Sequence, residues 1–181
     1  MIDGNNMNSI KDLIGYLYIV REKIRAADKD KLWEYSLPRV KATNEAVSSW
    51  EEQNGLVLPK AYKEFLLAAN GWHNVFQDKD LFSLDELSFS KENRYIQCLN
   101  DCIDNIHDVG DKTCLLPIGG TEYSYDLYLI VLDRASEFYG QVLWVAGEEV
   151  ERHNDFDAFF ESLIAYNQYN YKLLTGMSYD D

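Results

Sequence analysis

The chain has 181 residues, of which 46% are hydrophobic, so it is long and apolar enough to form one globular domain with a sizeable core. It carries 31 acidic and 17 basic side chains, and this net charge of −14 argues against nucleic acids and anionic membranes, which are bound by clustered cations. The charge suits a basic partner, although it also suits a protein that only needs to stay in solution.

The first predicted element is an N-terminal helix. Ser9 is followed three residues later by Asp12, which is the spacing of a capping box. Apolar residues at helical intervals then continue to about Arg25. We expect residues 1–40 to form a helical extension in front of a domain that spans residues 41–175. Packing of this helix on the domain is the preferred prediction, and presentation of its apolar stripe to a partner is the alternative.

Two short helices that meet at a tight corner are predicted next. The first spans 43–54 and stops at Gly55, a residue type that readily adopts the left-handed conformation at a helix end. The second begins at Pro59, which has no N–H to lose in a first helical turn, and continues to Ala69 with one apolar stripe. Both helices therefore have one face that must be buried.

The middle of the chain mixes strand and helix patterns. A short strand that runs into a turn is predicted over 81–87, and a helical stripe predicts a helix over 92–107. Apolar and β-branched residues then predict strands over 114–118, 125–132 and 141–145. We expect the last two strands to pair as an antiparallel hairpin.

The final predicted element is a helix with a phenylalanine-rich face, with Asn154 and Asp157 as its expected caps. Helices thus come first, strands cluster in the middle and a helix ends the chain. That order predicts an α+β fold, with a mainly antiparallel sheet packed with helices, rather than a doubly wound parallel sheet.

One run of residues resembles a known family. The segment from Trp50 to Gly71 reads WEEQNGLVLPKAYKEFLLAANG. Its Trp-Glu pair near a helix end, its glycine, and the Leu-Pro, tyrosine, Phe-Leu and Asn-Gly that follow resemble the signature of the SMI1/KNR4 (SUKH) superfamily.

Three later blocks are similar to family blocks and occur in the family's order. They are LPIG at 116–119, GQVLW at 140–144 and DFDAFF at 155–160. The resemblance extends over roughly residues 43–163 and implies a SUKH-like fold. The N-terminal helix and the helix predicted over 92–107 are departures from the family pattern.

No arrangement of residues indicates catalysis or metal binding. Cys98 and His107 would lie about 13 Å apart along one straight helix, far beyond hydrogen-bond reach. With Cys102 and Cys114 they lack the spacing of a structural zinc site. The acidic run 101–111 has neither the glycine nor the terminal glutamate of a calcium-binding loop. We therefore expect a non-enzymatic protein without cofactor or metal.

The cysteines and the apolar runs bear on location. Three cysteines leave one unpaired in any disulfide scheme, which suits a reducing compartment. The apolar run 13–20 is much shorter than the roughly 20 residues that span a bilayer, and no cleavage site follows it. We predict a cytoplasmic protein that does not insert into membranes.

Acidic and aromatic residues at predicted turns are the candidates for partner binding. The segment from Trp72 is read as a turn that exposes an aromatic ring beside a histidine, and two later loops combine tyrosines with glutamates. The candidate residues are Trp72, His73, Glu122, Tyr123, Tyr125, Glu148, Glu149 and Glu151. If the two loops share one rim, they suit a basic protein, because charge speeds encounter and rings supply buried area. Mere exposure of these loops is the alternative.

The family resemblance implies a function. Bacterial members of the superfamily are immunity proteins that bind and neutralise a cognate toxin, often a nuclease. The charge agrees with a basic nuclease as the partner, most of all in residues 115–181, which carry 12 acidic and 3 basic side chains. The alternative, implied by the fungal members, is a regulatory scaffold in cell-wall synthesis and signalling.

Overall fold

The computed structural model describes residues 9–176, and a six-stranded sheet organises them. Every neighbouring pair of strands is antiparallel, and the spatial order of the strands follows the order in the chain. The strands are β1 (Trp72–Phe76), β2 (Lys79–Leu81), β3 (Leu115–Gly120), β4 (Asp126–Val131), β5 (Val142–Ala146) and β6 (Glu149–His153). The helices are α1 (Ile10–Ala27), α2 (Asn44–Asn54), α3 (Lys60–Leu66), α4 (Arg94–Cys102) and α5 (Phe156–Thr175). The predicted α+β class with an antiparallel sheet and an N-terminal helix is confirmed.

Each face of the sheet carries its own hydrophobic core, because side chains alternate in direction along a strand. On β4, Tyr128 and Ile130 point to the face that is covered by α1, α2, α3 and α5. Leu127 and Leu129 point to the other face, where α4 lies. Strands β3, β4 and β5 are therefore largely buried on both sides, which explains why they read as nearly continuous apolar runs.

Aromatic rings connect α3 and α5 on the first face of the sheet. Phe65 of α3 lies 4.9 Å from Phe156 and 5.8 Å from Phe160 of α5, measured between ring centroids. Tyr62 lies 5.0 Å from Phe156. All of these side chains are fully buried. The phenylalanine-rich face predicted for the last helix is thus its core contact.

Local capping chemistry sets the helix ends. As predicted, α2 stops at Gly55, which has a left-handed φ of 64°. The predicted caps of the last helix are wrong, because Asp155, not Asn154 or Asp157, accepts the hydrogen bond from the Ala158 amide at 2.9 Å. The extended backbone of Asp155 places its carboxylate over the free amides of the first turn.

Of the strand predicted within 81–87, only Leu81 lies in a strand, and the predicted turn follows earlier than expected. Leu81 ends β2, and the chain then forms a 3₁₀ turn at Leu84–Glu86. The cause is a capping box, in which the Ser83 amide and hydroxyl donate to the Glu86 carboxylate at 2.7 and 2.9 Å. Such local hydrogen bonds compete with strand pairing.

The helix predicted over 92–107 is shorter than expected. It ends at Cys102, and a 3₁₀ turn follows at Ile103–Asn105. The chain then bends towards the sheet and buries Ile106 and Val109, which are 0% and 1% exposed. Burial of these two side chains overrides continuation of the helix.

Helix α1 packs on the domain, as preferred from the sequence. Leu13, Leu17 and Ile24 are at most 2% exposed. Arg21 is buried too, and its guanidinium donates to the Val75 carbonyl at 2.9 Å and to Asn167 Oδ1 at 3.4 Å. Burial lowers the pKa of Arg21 to about 10, so the side chain stays cationic at neutral pH. The arginine links α1 to β1 and α5.

Residues 33–42, called the strap below, run from α1 towards α2 without regular secondary structure. The strap lies against β1 and α3. The Arg39 amide donates to the Gly71 carbonyl at 3.0 Å, and the Ala42 amide donates to the Leu66 carbonyl at 2.9 Å. The strap thereby covers the outer side of β1 and contributes to the surface described next.

Candidate partner-binding site

A surface depression of about 360 Å³ lies at one end of the sheet. It is formed by the strap, by β1 and β2, and by residues 121–125, the loop that joins β3 to β4. The residues that line it are Glu34, Tyr35, Ser36, His73, Asn74, Asp78, Asp80, Glu122 and Tyr123. Three candidates from the sequence, namely His73, Glu122 and Tyr123, therefore come together here.

Tyr123 forms a ridge on this surface. Its side chain is 83% exposed, and it also lines a second depression of about 290 Å³. That second depression includes Tyr125, which is 57% exposed, together with Arg94 and Asp101 of α4. Loop 121–125 thus presents Tyr123 between the two depressions and Tyr125 beside the second, an arrangement that suits contact with another protein.

The first depression is acidic. Asp78 forms an ion pair with Lys79, and Asp80 accepts a hydrogen bond from the ring of His73. The carboxylates of Glu34 and Glu122 have no hydrogen-bond or ion-pair partner within residues 9–176. Two exposed acidic groups without internal partners therefore remain available to a basic group from outside.

His73 belongs to a hydrogen-bonded chain of side chains along the edge of the depression. Its Nδ1 lies 3.0 Å from Asp80 Oδ2, and its Nε2 contacts the guanidinium of Arg39. Arg39 in turn donates to both carboxylate oxygens of Glu86, at 2.8 and 3.0 Å. Since Arg39 can only donate, His73 Nε2 accepts and Nδ1 carries the proton towards Asp80. The chain fixes the strap to β1, β2 and the following turn.

The carboxylate of Glu86 makes this attachment dependent on pH. Burial alone would raise its pKa, but hydrogen bonds from Arg39 and Ser83 outweigh burial and hold the pKa below the ordinary value of 4.5. The unfolded chain then binds the proton more tightly. The stabilisation is complete above about pH 4.5 and is lost as the pH falls through the folded-state pKa.

We expect Glu86→Gln to be less stable than wild type at neutral pH, because the charge-assisted contact with Arg39 is lost. The difference between the two proteins should shrink below about pH 4.5, where the wild-type carboxylate is also neutralised. Urea unfolding midpoints of both proteins across this range measure the effect. A difference that stays constant to about pH 3 would contradict it.

Trp72 does not lie on this surface, and the expectation of an exposed ring is wrong. The residue begins β1 rather than a turn, and its side chain is fully buried. Its indole N–H donates to the carbonyl of Ser36 in the strap at 3.0 Å. Strand alternation places His73 outwards and Trp72 inwards, so a partner can reach only the histidine.

The candidate glutamates after β5 lie in a different setting from the one expected. Only Glu148 lies in the tight connection, whereas Glu149 and Glu151 belong to β6. Glu149 accepts two hydrogen bonds from Arg152, which hold its pKa below the ordinary value. Glu151 accepts a hydrogen bond from Tyr166 of α5. Both carboxylates therefore have internal partners.

The two loops nevertheless lie at the same end of the sheet. Asp126, at the start of β4, pairs with Ala146, at the end of β5. Loop 121–125 precedes the first of these residues, and the connection that contains Glu148 follows the second. Of the acidic candidates, Glu122, Glu148 and Glu149 are exposed at this end, and Glu122 adjoins the acidic depression.

Sequence reasoning missed Glu34, Asp78 and Asp80. The two aspartates flank Lys79 at the turn between β1 and β2, and recognition of that hairpin would have placed them beside His73. Glu34 lies in the strap, whose sequence shows neither helical nor strand periodicity. No local signal brings it to the depression.

The remaining chemistry-bearing groups form no further site in the part of the chain that the structure describes. No group of three or more His, Cys, Asp or Glu side chains there could hold a metal ion. Burial raises the pKa of the Cys102 and Cys114 thiols, which disfavours reactive thiolates. None of the helices in residues 9–176 is long and apolar enough to cross a membrane.

Comparison with protein-family models identifies a match over two thirds of the chain. The family model described as SMI1 / KNR4 family (SUKH-1) matches residues 41–162. The match begins in the strap, includes every strand and ends within α5, so α1 lies outside it. A search of curated proteins finds no match.

Proposed function

Because the chain belongs to the SMI1/KNR4 family (SUKH-1), we propose that it is an immunity protein that binds and neutralises a cognate toxin without catalysing a reaction. The observation that carries the proposal is the exposed ridge of Tyr123 beside the unpartnered carboxylates of Glu34 and Glu122. An exposed aromatic ring and carboxylates without internal partners contribute little to the stability of the fold. They suit a protein interface.

The proposed partner is a basic toxin, such as a nuclease. Enzymes that act on nucleic acids bind phosphates with lysine and arginine, so their substrate clefts are cationic. An acidic surface that carries a protruding tyrosine can cover such a cleft, with its carboxylates in the places of phosphates. Inhibition then follows from occlusion of the cleft, and no bond is made or broken. All three cysteines are free thiols, which supports a cytoplasmic location for the encounter.

The proposal predicts a stable complex with the cognate toxin, and the first toxin candidate to test is the product of the gene next to the one that encodes this chain. We expect co-expression followed by size-exclusion chromatography to give one species that contains both chains, and we expect the neighbour's toxicity to disappear. Expression of the neighbour alone provides the control. A harmless neighbour that elutes separately would remove the main support for the toxin proposal.

The electrostatic part of the proposal has its own test. Exposed charges are screened within about 10 Å at 0.1 M salt and within about 3 Å at 1 M. The dissociation constant of the complex should therefore rise at least tenfold between these two salt concentrations, mainly through slower association. Titration calorimetry and stopped-flow mixing measure the two quantities. An affinity that is flat with salt would exclude charge-driven docking but would leave the complex itself intact.

A regulatory scaffold of the SMI1/KNR4 cell-wall and signalling type is the second candidate. It is favoured by Leu37 and Val40 of the strap, which are 66% and 89% exposed and do not line the acidic depression. An adaptor needs a second contact surface, and these apolar residues could provide one. Cross-linking at the strap followed by mass spectrometry distinguishes the candidates. A scaffold captures a partner at Leu37 or Val40, whereas an immunity protein captures its toxin at Tyr123.

A further inference from the structure

Lys79 is a charged side chain in an unusual place, because only 7% of it is exposed. Its ammonium lies over the rings of Phe76 and Trp144, 5.6 and 5.8 Å from their centroids. It donates to Asp78 Oδ1 at 3.3 Å and lies 4.0 Å from Asp126 Oδ2. A buried ammonium is tolerated only when such partners replace water.

The two carboxylates beside Lys79 hold the two ends of loop 121–125. At the first end, the hydroxyl of Thr121 donates to Asp78 Oδ2 at 2.9 Å. At the second end, Asp126 accepts hydrogen bonds from the indole of Trp144, at 2.7 Å, and from the hydroxyl of Ser124. The Thr121 amide also donates to the Asp126 carbonyl at 3.3 Å, which closes the loop at its base.

The same network reaches the ridge residue itself. The amide of Tyr123 donates to the hydroxyl of Thr121 at 3.2 Å, so the backbone beneath the exposed ring is fixed. Thr121 is 2% exposed, which shields this contact from competing water. The side chain of Tyr123 is therefore exposed, while its backbone is fixed by the hydrogen bond to Thr121.

Lys79 is the cation that lies beside both Asp78 and Asp126. Burial would raise the pKa of Asp78, but Thr121 and Lys79 outweigh burial and lower it. Without the ammonium, the carboxylates of Asp78 and Asp126 would lose the cation that lies beside them, which is unfavourable for carboxylates that are partly buried. The loop ends that depend on these carboxylates would then separate.

We propose that Lys79 is the positioning residue that holds loop 121–125, and with it Tyr123, in a single conformation before any partner arrives. The consequence for docking rests on the proposed function, whereas the order of the loop does not. A loop that is ordered in advance loses little conformational freedom when it binds, so the affinity is higher than for a mobile loop with the same side chains.

Hydrogen–deuterium exchange of the free 181-residue chain tests the proposal without a partner. In Lys79→Met, we expect the amides of residues 121–126 to exchange at least about tenfold faster than in wild type, because fast exchange marks local opening. Thr121→Val should do the same, since it breaks the link to Asp78 and leaves the lysine in place. Lys79→Arg keeps a cation between the carboxylates and should preserve most of the protection.

The matched control is Lys63→Met, which removes another partly buried lysine paired with a carboxylate, here Glu51 at 3.1 Å. It should leave loop 121–125 unchanged. The proposal is overturned if the loop amides keep wild-type rates in Lys79→Met and Thr121→Val. It is also overturned if they accelerate only in step with the amides of β4 and β5, since that result would mark a loss of global stability alone.

The complex gives a second readout. If a complex forms, Lys79→Met should weaken it by about tenfold, and Lys79→Arg should restore most of the affinity. Position 79 is only 7% exposed, so the effect would act through the conformation of loop 121–125 rather than through direct contact with the partner. If no complex forms, the immunity proposal loses its support, and the exchange result still decides whether Lys79 positions the loop. The two failures are therefore distinguishable.

Discussion

Deletion of residues 1–40 is expected to leave a chain that no longer folds cooperatively. The deletion removes Leu13, Leu17 and Ile24, which are at most 2% exposed. Full burial of one such side chain contributes about 1.5–3 kcal/mol, so these three together approach the roughly 5–15 kcal/mol by which a typical domain is stable. The deletion also uncovers Trp72, whose indole is held by the strap. Thermal unfolding followed by circular dichroism should show no sharp transition.

A point substitution gives a graded form of the same experiment. Leu17→Ala should lower the free energy of unfolding by about 2–5 kcal/mol, because it leaves a cavity between α1 and the domain. Ile19→Ala, two residues further along the same helix and 52% exposed, is the control and should change it by about 0.5 kcal/mol or less. A fragment 41–175 that unfolds sharply at the wild-type midpoint would instead show that residues 1–40 are a separable extension.

These experiments test whether residues 1–40 are a separate extension or part of the same folding unit as residues 41–175. The family match starts at residue 41, and the sequence predicts an added element before it. In the structure, however, Leu17 shares a core with Phe156 and Phe160 of α5. Arg21 and Asn167 both bind the carbonyl of Val75. We infer that the added helix is part of the folding unit even though it lies outside the family match.

Features that depend on neighbouring residues were predictable from the sequence. The N-terminal cap at Ser9, the stop at Gly55 and the apolar stripes of the helices all follow from interactions within a few residues. The hairpin of β4 and β5 followed from two apolar runs separated by a loop. In each case local chemistry and tertiary structure favour the same conformation, so a single sequence is sufficient.

Features that depend on distant residues were not predictable. Trp72 reads as a turn residue after Gly71, but the strap 36 residues earlier supplies both the cover and the hydrogen-bond acceptor that bury its ring. Strand β6 reads as a charged loop because most of its residues are polar. In the fold, Glu149 pairs with Arg152 within the strand, and Glu151 accepts a hydrogen bond from Tyr166 of α5. Exposed polarity predicts loops, and an edge strand whose charges are satisfied internally has the same appearance.

The candidate site shows the same limit. Glu34, Asp78 and Glu122 come from three separate parts of the chain and meet only in the folded protein. Net charge indicated an acidic surface but not its place. The structure reduces the candidates, because Glu149 has an internal partner while Glu34 and Glu122 do not. The proposed contact with a basic partner therefore rests on the acidic groups of this depression that the fold leaves unpaired.

Substitutions at the ridge and in the depression should therefore reduce affinity more than any others on this surface. Tyr123→Ala is expected to weaken the complex by about 2–4 kcal/mol, roughly 30- to 1,000-fold, because exposed tyrosines that become buried are typical hot spots. The double reversal Glu34→Lys with Glu122→Lys should weaken it further and should slow association, since it places cations opposite a basic partner. Titration calorimetry on the purified complex partner measures both effects.

The matched control is a charge reversal at the other end of the sheet. Glu137 is exposed in the connection between β4 and β5, far along the strands from loop 121–125. Glu137→Lys changes the net charge as much as either single reversal in the depression. It therefore distinguishes a loss of direct contact at the depression from an effect of total charge on association. If Glu137→Lys weakens the complex as much as Glu122→Lys does, the partner responds to total charge and the depression is not the contact. If only the reversals in the depression and Tyr123→Ala matter, the ridge and its flanking acids form the interface.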